Sequence, residues 1–249
     1  MGTYEAFVEQ ITSRMPALLK EAESGTIKQS IDLMTDAVAE GGVIRAFGTG
    51  HSEAFCMELA GRAGGLIPTS RMSLRDMVIY GDKTAADLTP ELERDPSFAD
   101  DLFALYPRDP RDIFVVVSNS GVNGSIVGVA LAAKQAGHTV IAVTSLEHTA
   151  GVTPKHPSGK RLSEVADVVI DNLAPYGDST LTLESGHVMG AVSSITGAVI
   201  AQLMTLGIAE QLASRGLDVP VYISANIPGG DEHNDALKKA YDGRLRLDG

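Results

Sequence analysis

The 249-residue chain contains one cysteine, Cys56, and no tryptophan. A single thiol cannot form an intramolecular disulfide or a cysteine-clustered metal site. Cys56 stands beside Met57 and near Leu59 in an apolar segment, which indicates a small core residue rather than a nucleophile. The scarcity of cysteine therefore excludes a fold stabilised by intramolecular disulfides.

Positive charge is also scarce, because 20 lysines and arginines face 32 aspartates and glutamates, for a formal net charge of −12. Nucleic-acid and anionic-membrane surfaces need a positive field to gather phosphates, so this balance argues against both partners. The N-terminus lacks the basic start and apolar run of a signal peptide, and no uncharged apolar run of about 20 residues indicates a membrane span. We therefore expect a cytoplasmic protein.

Hydrophobic residues make up 44% of the chain, enough for one sizeable core. Short apolar runs alternate with helical patterns, which predicts right-handed crossovers between parallel strands. The predicted strands cover residues 43–47, 66–72, 113–117, 139–144 and 168–171, with a helix over residues 125–136. We predict an α/β three-layer sandwich with a mostly parallel five-stranded sheet and extra N-terminal and C-terminal helices.

This single globular unit divides into a helical segment over residues 1–40, a central domain over residues 41–215 and a C-terminal extension over residues 216–249. Within the first part, residues 24–26 separate two predicted helices. Residues 81–112 are polar and contain several prolines, which predicts an excursion with short helices.

A long helix is predicted from Thr180 to Ser214, entered through N-cap candidates at residues 178–180. Its many small residues permit close approach of a neighbouring helix or of a dimer mate. Residues 224–234 form a polar loop before a final helix. Asp231 is the expected N-cap there, although the density of polar side chains leaves a site role open.

The most informative segment is the buried strand over residues 113–117, which runs into a hydroxyl-rich turn that opens a helix. The first main-chain N–H groups of a helix have no internal partner and carry the positive end of its dipole. A phosphate placed there gains hydrogen bonds without any cation. Ser118, Ser120 and Asn123 add side-chain donors, and Gly121 lets the backbone approach closely.

A second loop of the same design, residues 48–52, follows the strand over residues 43–47 and precedes a helical run over residues 53–63. Open parallel sheets bind ligands beyond the carboxyl ends of their strands, so the two loops predict one ligand held between them. Small-residue turns also follow strands for steric reasons alone, which leaves each loop singly open to a structural interpretation. The third glycine of a dinucleotide fingerprint and the Gly-Lys-Ser/Thr run of a P-loop are absent from the sequence, which disfavours a nucleotide cofactor.

The two loops resemble the signature loops of the SIS (sugar isomerase) family of phosphosugar-binding proteins, Gly-x-Gly/Ser-x-Ser and Ser-x-Ser-Gly-x-Thr/Asn. The likeness extends over about residues 42–206, and residues 155–172 are similar to a little-characterised branch often labelled phosphoheptose-isomerase-like. The resemblance implies the SIS fold and a bound sugar phosphate. The substrate-binding residues that it implies are Thr49, Gly50, His51, Ser52, Ser118, Asn119, Ser120, Gly121 and Asn123.

Aldose–ketose isomerisation through an enediol needs a base that moves a proton between adjacent carbons, and a carboxylate with an imidazole suffices. Glu58 resembles the glutamate that SIS isomerases carry in a similar Glu-Leu-x-Gly-Arg context. The alternative is a surface glutamate paired with Arg62 at i,i+4. Glu184 and His187 are three residues apart, which places them on one side of the predicted long helix as a candidate proton pair; an interface histidine is the alternative for His187.

The other histidines are scattered and show no metal-ligand spacing, so neither a metal nor a cofactor is predicted. A zinc site assembled in space stays open, because some phosphoheptose isomerases bind zinc.

The leading hypothesis is an aldose–ketose isomerase that acts on a sugar phosphate. A non-catalytic sugar-phosphate sensor and an amino-sugar-phosphate lyase or etherase are the alternatives. SIS domains of transcriptional regulators accompany a DNA-binding module, for which the first 40 residues are too short and too little basic. Apolar surface on the predicted helices, together with the subunit-spanning pockets that the resemblance implies, predicts a homodimer or dimer-based tetramer.

Overall fold

The computed structural model describes residues 2–241 and 243–246. Five parallel strands form the main sheet in the order β2-β1-β3-β4-β5. They are β1 (Ile44–Gly48), β2 (Thr69–Met72), β3 (Ile113–Val117), β4 (Thr139–Thr144) and β5 (Val168–Asp171). The predicted five-stranded parallel sheet is confirmed, and the bounds of β3, β4 and β5 match the predicted ones.

Ten α-helices surround the sheet in the described part of the chain: α1 (Thr3–Thr12), α2 (Met15–Ser24), α3 (Thr26–Ala39), α4 (Glu53–Leu59), α5 (Asp76–Ile79), α6 (Phe98–Ala104), α7 (Gly124–Gln135), α8 (Leu146–Ala150), α9 (Ser193–Ser214) and α10 (Gly230–Lys238). The break at residues 24–26 is confirmed, but a further break near Arg14 divides the first predicted helix. Pro16 in the first turn of α2 fits that break, because proline is tolerated where no helical N–H bond is needed.

Side chains on the two faces of β1, β3, β4 and β5 enter two separate cores, as period-2 geometry requires. One core packs strand residues such as Val115 and Ile141 against α2, α3, α4 and α9. The other packs Phe114 and Val116 against α6 and α7. The result is the predicted three-layer sandwich. Cys56 is fully buried in the first core, and burial raises the pKa of its thiol, so the core interpretation of this cysteine is confirmed.

The predicted long helix from Thr180 is wrong in its first part. A two-stranded hairpin of β6 (Ser179–Thr182) and β7 (Val188–Ala191) occupies that stretch, and α9 begins only at Ser193. Gly186 and Gly190 both adopt positive φ, which a continuous helix does not allow. Asp178, one of the predicted N-cap candidates, still binds the start of α9, although the hairpin separates the two in the sequence. Its carboxylate accepts the main-chain N–H groups of Val192 and Ser193.

Helix α9 is long and apolar enough to cross a membrane by length and composition alone. The criterion of an uncharged apolar run, applied to the sequence, did not identify this helix. The core helix of a soluble protein passes the same test. Here α9 packs against α2, α3 and α4 and buries one side that includes Ile200, Met204 and Ile208. At the C-terminal side, α10 begins inside the predicted loop over residues 224–234, and its N-cap is Gly229 rather than Asp231.

The buried imidazole of His138 makes stability depend on pH. It is 4% exposed, its Nδ1 lies 3.0 Å from the main-chain oxygen of Asp112, and burial lowers its pKa below the ordinary histidine value. As the pH falls through the ordinary pKa of histidine, the imidazole becomes protonated in the unfolded chain but stays neutral in the native state, so the free energy of unfolding decreases.

His138→Gln is therefore expected to flatten the fall in stability between pH 7.5 and pH 5.5. The glutamine amide can still donate to the Asp112 carbonyl, so the fold is retained. Urea unfolding at several pH values measures the slope, and identical slopes for the variant and the wild type would contradict this assignment.

Candidate functional site

The two predicted loops meet at the carboxyl edge of the sheet. Loop 1, residues 48–52, follows β1, and loop 2, residues 118–123, follows β3. The two strands are adjacent and parallel, and Gly48 is in register with Val117. Helix α4 leaves loop 1 and helix α7 leaves loop 2, so both loops carry the amino end of a helix to this edge.

Loop 2 is held by its own hydroxyl and by neighbouring strands. The Ser118 Oγ accepts the Gly121 N–H at 3.1 Å, and the Asn172 amide donates to the Asn119 Oδ1 at 3.0 Å. Gly121 has a φ of +63°, and a Cβ there would lie 3.0 Å from the Thr144 hydroxyl oxygen. Both facts favour glycine at this position, because a side chain would strain the backbone and crowd the Thr144 hydroxyl.

A row of main-chain donors in loop 2 and the first turn of α7 is left unpaired. In the described part of the chain, no acceptor pairs with the N–H groups of residues 119, 120 and 122–126, nor does the Ser120 hydroxyl make a hydrogen bond. Asn123, the N-cap of α7, makes no side-chain cap hydrogen bond. We call this set of donors the cradle. Successive free N–H groups at a helix start are suited to an anion.

The excursion over residues 81–112 reaches the cradle through Glu93. The Asn123 amide donates to the Glu93 Oε1 at 3.2 Å, and the Ser125 hydroxyl donates to the Glu93 main-chain oxygen at 2.6 Å. On the other side, Lys155 Nζ donates to the Asn123 Oδ1 at 3.2 Å. The sequence predicts an anion site without cations and gives no signal for Glu93 or Lys155, because neither residue lies near loop 2 in the sequence.

A cavity of about 410 Å³ opens between loop 1 and the excursion. Its lining comprises Gly48, Thr49, Gly50, Glu53, Ser73, Leu74, Arg75, Leu88, Thr89, Pro90, Leu92, Glu93 and Arg94. The Glu53 carboxylate, in the first turn of α4, accepts the Ser73 hydroxyl at 2.7 Å. The cavity therefore brings a positioned carboxylate, hydroxyls and two guanidinium groups to the edge of the sheet.

The turn after β2 that carries Ser73 is fixed from below by a buried carboxylate. Asp76 accepts the Ser73 N–H at 2.8 Å and the Tyr106 hydroxyl, and burial raises the pKa of Asp76. Burial also raises the pKa of the Tyr106 phenol, which keeps it a donor. This support holds one wall of the cavity in place.

A narrow cleft of about 20 Å³ lies on the opposite side of loop 1, lined in part by His51, Ser52, Asn119 and Asn172. This volume holds about one water molecule and no sugar. The predicted binding residues thus separate into three neighbouring groups. Thr49 and Gly50 face the cavity, and His51, Ser52 and Asn119 line the cleft. Ser120, Asn123 and the Asn119 N–H belong to the cradle, whose turn is closed by the hydrogen bond between Gly121 and Ser118.

Glu58 lies outside the cavity in this chain. Its carboxylate pairs with Arg62, as the structural alternative predicted, and accepts the Gln202 amide at 2.6 Å. Together with Leu203 and Leu206 it lines a groove on the exposed side of α9. Glu53, on another side of the same helix, is the carboxylate that faces the cavity.

The prediction that Glu184 and His187 share one side of a helix is wrong, because both lie in the exposed turn of the β6–β7 hairpin. Hydrogen bonds between Leu183 and both Gly186 and His187 close that turn, and the His187 Nδ1 lies 2.9 Å from the Ser185 hydroxyl. The chemical roles predicted for the two residues stay predictions. Within the described residues, no group of three or more His, Cys, Asp or Glu side chains is placed to hold a metal ion.

Comparison with known sequences places the chain among proteins with a SIS domain, whose family profile matches residues 6–145. The UPF0309 protein of Geobacillus thermodenitrificans is 34% identical over 242 residues, which cover 97% of this chain and 96% of that protein. A UPF0309 protein of Listeria monocytogenes is also 34% identical, over 238 residues and 95% of both chains.

Solved structures of two phosphoheptose isomerases share the fold. The enzyme of Francisella tularensis superimposes with a TM-score of 0.53 at 18% identity, covering 84% of this chain and 100% of that chain. GmhA of Neisseria gonorrhoeae gives a TM-score of 0.52 at 17% identity with the same coverage. Both comparisons confirm the predicted architecture, and with the family match they show that this chain belongs to the SIS domain family.

Proposed function

We propose that the protein binds a sugar phosphate, with the phosphate in the cradle. The observation that carries the proposal is the row of unpaired main-chain N–H groups over residues 119, 120 and 122–126. Buried or partly buried N–H groups are almost always paired, so a row of free donors at a helix start requires an acceptor from outside the chain. A phosphate offers several acceptor oxygens and the negative charge that the helix dipole favours.

Lys155 supports a phosphate rather than a neutral ligand. Its ammonium group lies against Asn123 at the border of the cradle, in a chain whose net charge is −12. Local dipoles and one cation can therefore bind an anion that the field of the whole molecule would repel. The adjoining cavity of about 410 Å³ has the size and the mixed polar lining expected for the sugar.

The activity that we propose is aldose–ketose isomerisation. A base beside the bound sugar can move a proton between adjacent carbons. Of the two carboxylates that line the cavity, Glu53 is held by the Ser73 hydroxyl, whereas Glu93 bonds to Asn123 of the cradle, so Glu53 is the proposed base. Glu58, predicted from the family resemblance, remains the alternative base. A sugar-phosphate sensor is the competing proposal, since the cradle accounts for binding without chemistry.

Ser120→Ala is expected to weaken binding of a sugar phosphate by about 1–3 kcal/mol, because it removes a hydrogen bond to a charged group. Thermal-shift titration with pentose, hexose and heptose phosphates measures the loss. The dephosphorylated sugars are the ligand control and should stabilise the protein little. Ser24→Ala, on the exposed surface of α2, is the variant control. Equal stabilisation by sugars with and without phosphate would contradict the proposal.

We also propose that the protein is a homodimer or a dimer-based tetramer. Leu206 is 61% exposed, and the groove that it shares with Glu58 continues past Val199 and Leu203 to Leu19 of α2. A continuous apolar groove of this kind usually marks an interface. The small residue Gly190, expected on the interface helix, lies in β7 against Phe7 instead, so its substitution would test the hairpin rather than assembly.

Leu206→Glu is expected to separate the subunits, because it places a charge in the apolar groove. Sedimentation at micromolar concentration measures the change. Ile227→Glu is a matched control, since Ile227 is also an exposed apolar residue but lies outside the groove. A wild-type protein that sediments as a monomer would contradict the proposed assembly.

A further inference from the structure

Two arginines of the cavity beside loop 1 have no ion-pair partner within the described residues. Arg75 follows β2 and Arg94 belongs to the excursion, and both line the cavity. Both side chains are exposed, and neither lies within 4.0 Å of a described carboxylate. Glu91 interacts electrostatically with Arg94, but the two side chains do not form an ion pair. Two guanidinium groups without an ion-pair partner therefore line one cavity of a chain whose net charge is −12.

The two carboxylates of the cavity are already engaged elsewhere. Glu53 accepts the Ser73 hydroxyl, and Glu93 accepts the Asn123 amide. The formal charge of the four groups is zero, yet the hydrogen bonds hold both acids against the walls while the guanidinium groups stay available. A guanidinium group presents a planar fork of donors that matches a carboxylate or a phosphate.

The cavity and the cradle are neighbours, because Glu93 touches both. Its carboxylate lines the cavity and bonds to Asn123, and its Oε2 would lie 3.7 Å from a Cβ at Gly50 of loop 1. The cradle and the cavity are thus close enough for one ligand to reach both, with its phosphate in the cradle and the rest in the cavity. Arg75, Arg94 and Thr89 are among the residues that line this cavity.

Building on the proposed function, we propose that the natural ligand is a sugar phosphate with a second acidic group, and that Arg75 and Arg94 bind this group in the cavity. The second group is a carboxylate or a second phosphate, since both fit the guanidinium fork. Arg75 and Arg94 thus act as specificity-determining residues, while the cradle binds the first phosphate.

Three open-chain ligands test this proposal: glucitol 6-phosphate, 6-phosphogluconate and glucitol 1,6-bisphosphate. They share one phosphate and differ at the other end, which carries a hydroxyl, a carboxylate or a second phosphate. Isothermal titration calorimetry of the wild-type protein should show at least one of the two diacids binding about tenfold more tightly than glucitol 6-phosphate. A carboxylate or a phosphate preference then identifies the second group.

The variants Arg75→Gln and Arg94→Gln should each reduce that preference, and the double variant should abolish it. Binding of glucitol 6-phosphate should stay within about twofold of wild type in all three, because the cradle is untouched. Arg62→Gln is the matched control, since this arginine is also exposed but pairs with Glu58 outside the cavity. Ser120→Ala should weaken all three ligands alike.

Two results would overturn the inference while leaving the proposed function intact. One is equal affinity of the wild-type protein for the monoacid and both diacids. The other is an equal loss of glucitol 6-phosphate binding in the arginine variants, which would assign the arginines to the first phosphate. Failure of all three ligands to bind would instead contradict the proposed function itself.

Discussion

Asp112→Asn is expected to lower the free energy of unfolding by about 3–5 kcal/mol, because it leaves buried guanidinium charge without its partner. The Asp112 and Arg45 side chains are both 0% exposed and lie 2.9 Å apart, and Arg244 pairs with the same carboxylate. Burial lowers the pKa of Arg45, and the neighbouring Asp112 charge opposes that shift. An asparagine keeps the shape of the side chain and removes the charge that makes this arrangement tolerable.

Urea or guanidinium unfolding of the variant measures the loss. Asp36→Asn is the matched control, since Asp36 also pairs with an arginine, Arg215, but both side chains are exposed. Such a pair contributes less than about 1 kcal/mol. A loss at Asp112 no larger than the loss at Asp36 would show that the buried charges are better hydrated than the structure implies.

The same cluster attaches the C-terminal segment to the sheet. Arg244 donates to the Gly41 main-chain oxygen as well as pairing with Asp112, and the Arg246 main-chain oxygen accepts the Arg71 N–H from the edge strand β2. The Arg246 guanidinium lies 4.0 Å from the centre of the Tyr80 ring. The sequence predicts this tail only as an extension, because partners 132 residues apart leave no local pattern.

The central strand of the sheet was predictable because it is a fully buried run of apolar residues. Ile113–Val117 is buried at every position, and its end is marked by the abrupt change to serine and asparagine. A fully buried strand reads as a continuous apolar run, and turn residues delimit it. The meeting of the two loops followed from the parallel topology, since adjacent parallel strands end at one edge.

The hairpin before α9 was not predictable by the same means. Its strands are only four residues long, and its small residues Gly186 and Gly190 fitted a helix with a close neighbour as well as a turn with positive φ. Polar alternation over so few residues does not separate strand from helix. For this reason Glu184 and His187 were predicted to lie in a helix, whereas they lie in an exposed turn.

The residues that line the cavity were also not predictable from the sequence. Glu93 and Arg94 come from an excursion that reads as a polar, proline-punctuated connection, and Glu93 reaches Asn123 across 30 residues. Loop residues are placed by tertiary contacts rather than by local periodicity. The sequence thus predicted the two loops of the proposed phosphate site, whereas the residues of the adjoining cavity emerged only from the fold.

The base of the proposed isomerisation is the point at which the sequence and the structure favour different residues. Family resemblance selects Glu58, whose carboxylate is engaged by Arg62 and Gln202 in the α9 groove. Geometry selects Glu53, whose carboxylate lines the cavity and accepts the Ser73 hydroxyl. Glutamine at either position keeps the shape and removes the ability to accept a proton, so the two substitutions separate the two assignments.

Glu53→Gln is expected to lower the rate of isomerisation on the order of 10²-fold or more, with affinity for the sugar phosphate mostly retained. Incubation of a panel of sugar phosphates in deuterated water, with detection of exchange at the carbon beside the carbonyl, measures the proton transfer directly. Arg62→Gln controls for the ion pair of Glu58, because it leaves both carboxylates in place. A large loss in Glu58→Gln without a loss in Glu53→Gln would assign the base to Glu58, and a wild-type protein that binds these ligands without any exchange would identify a sensor.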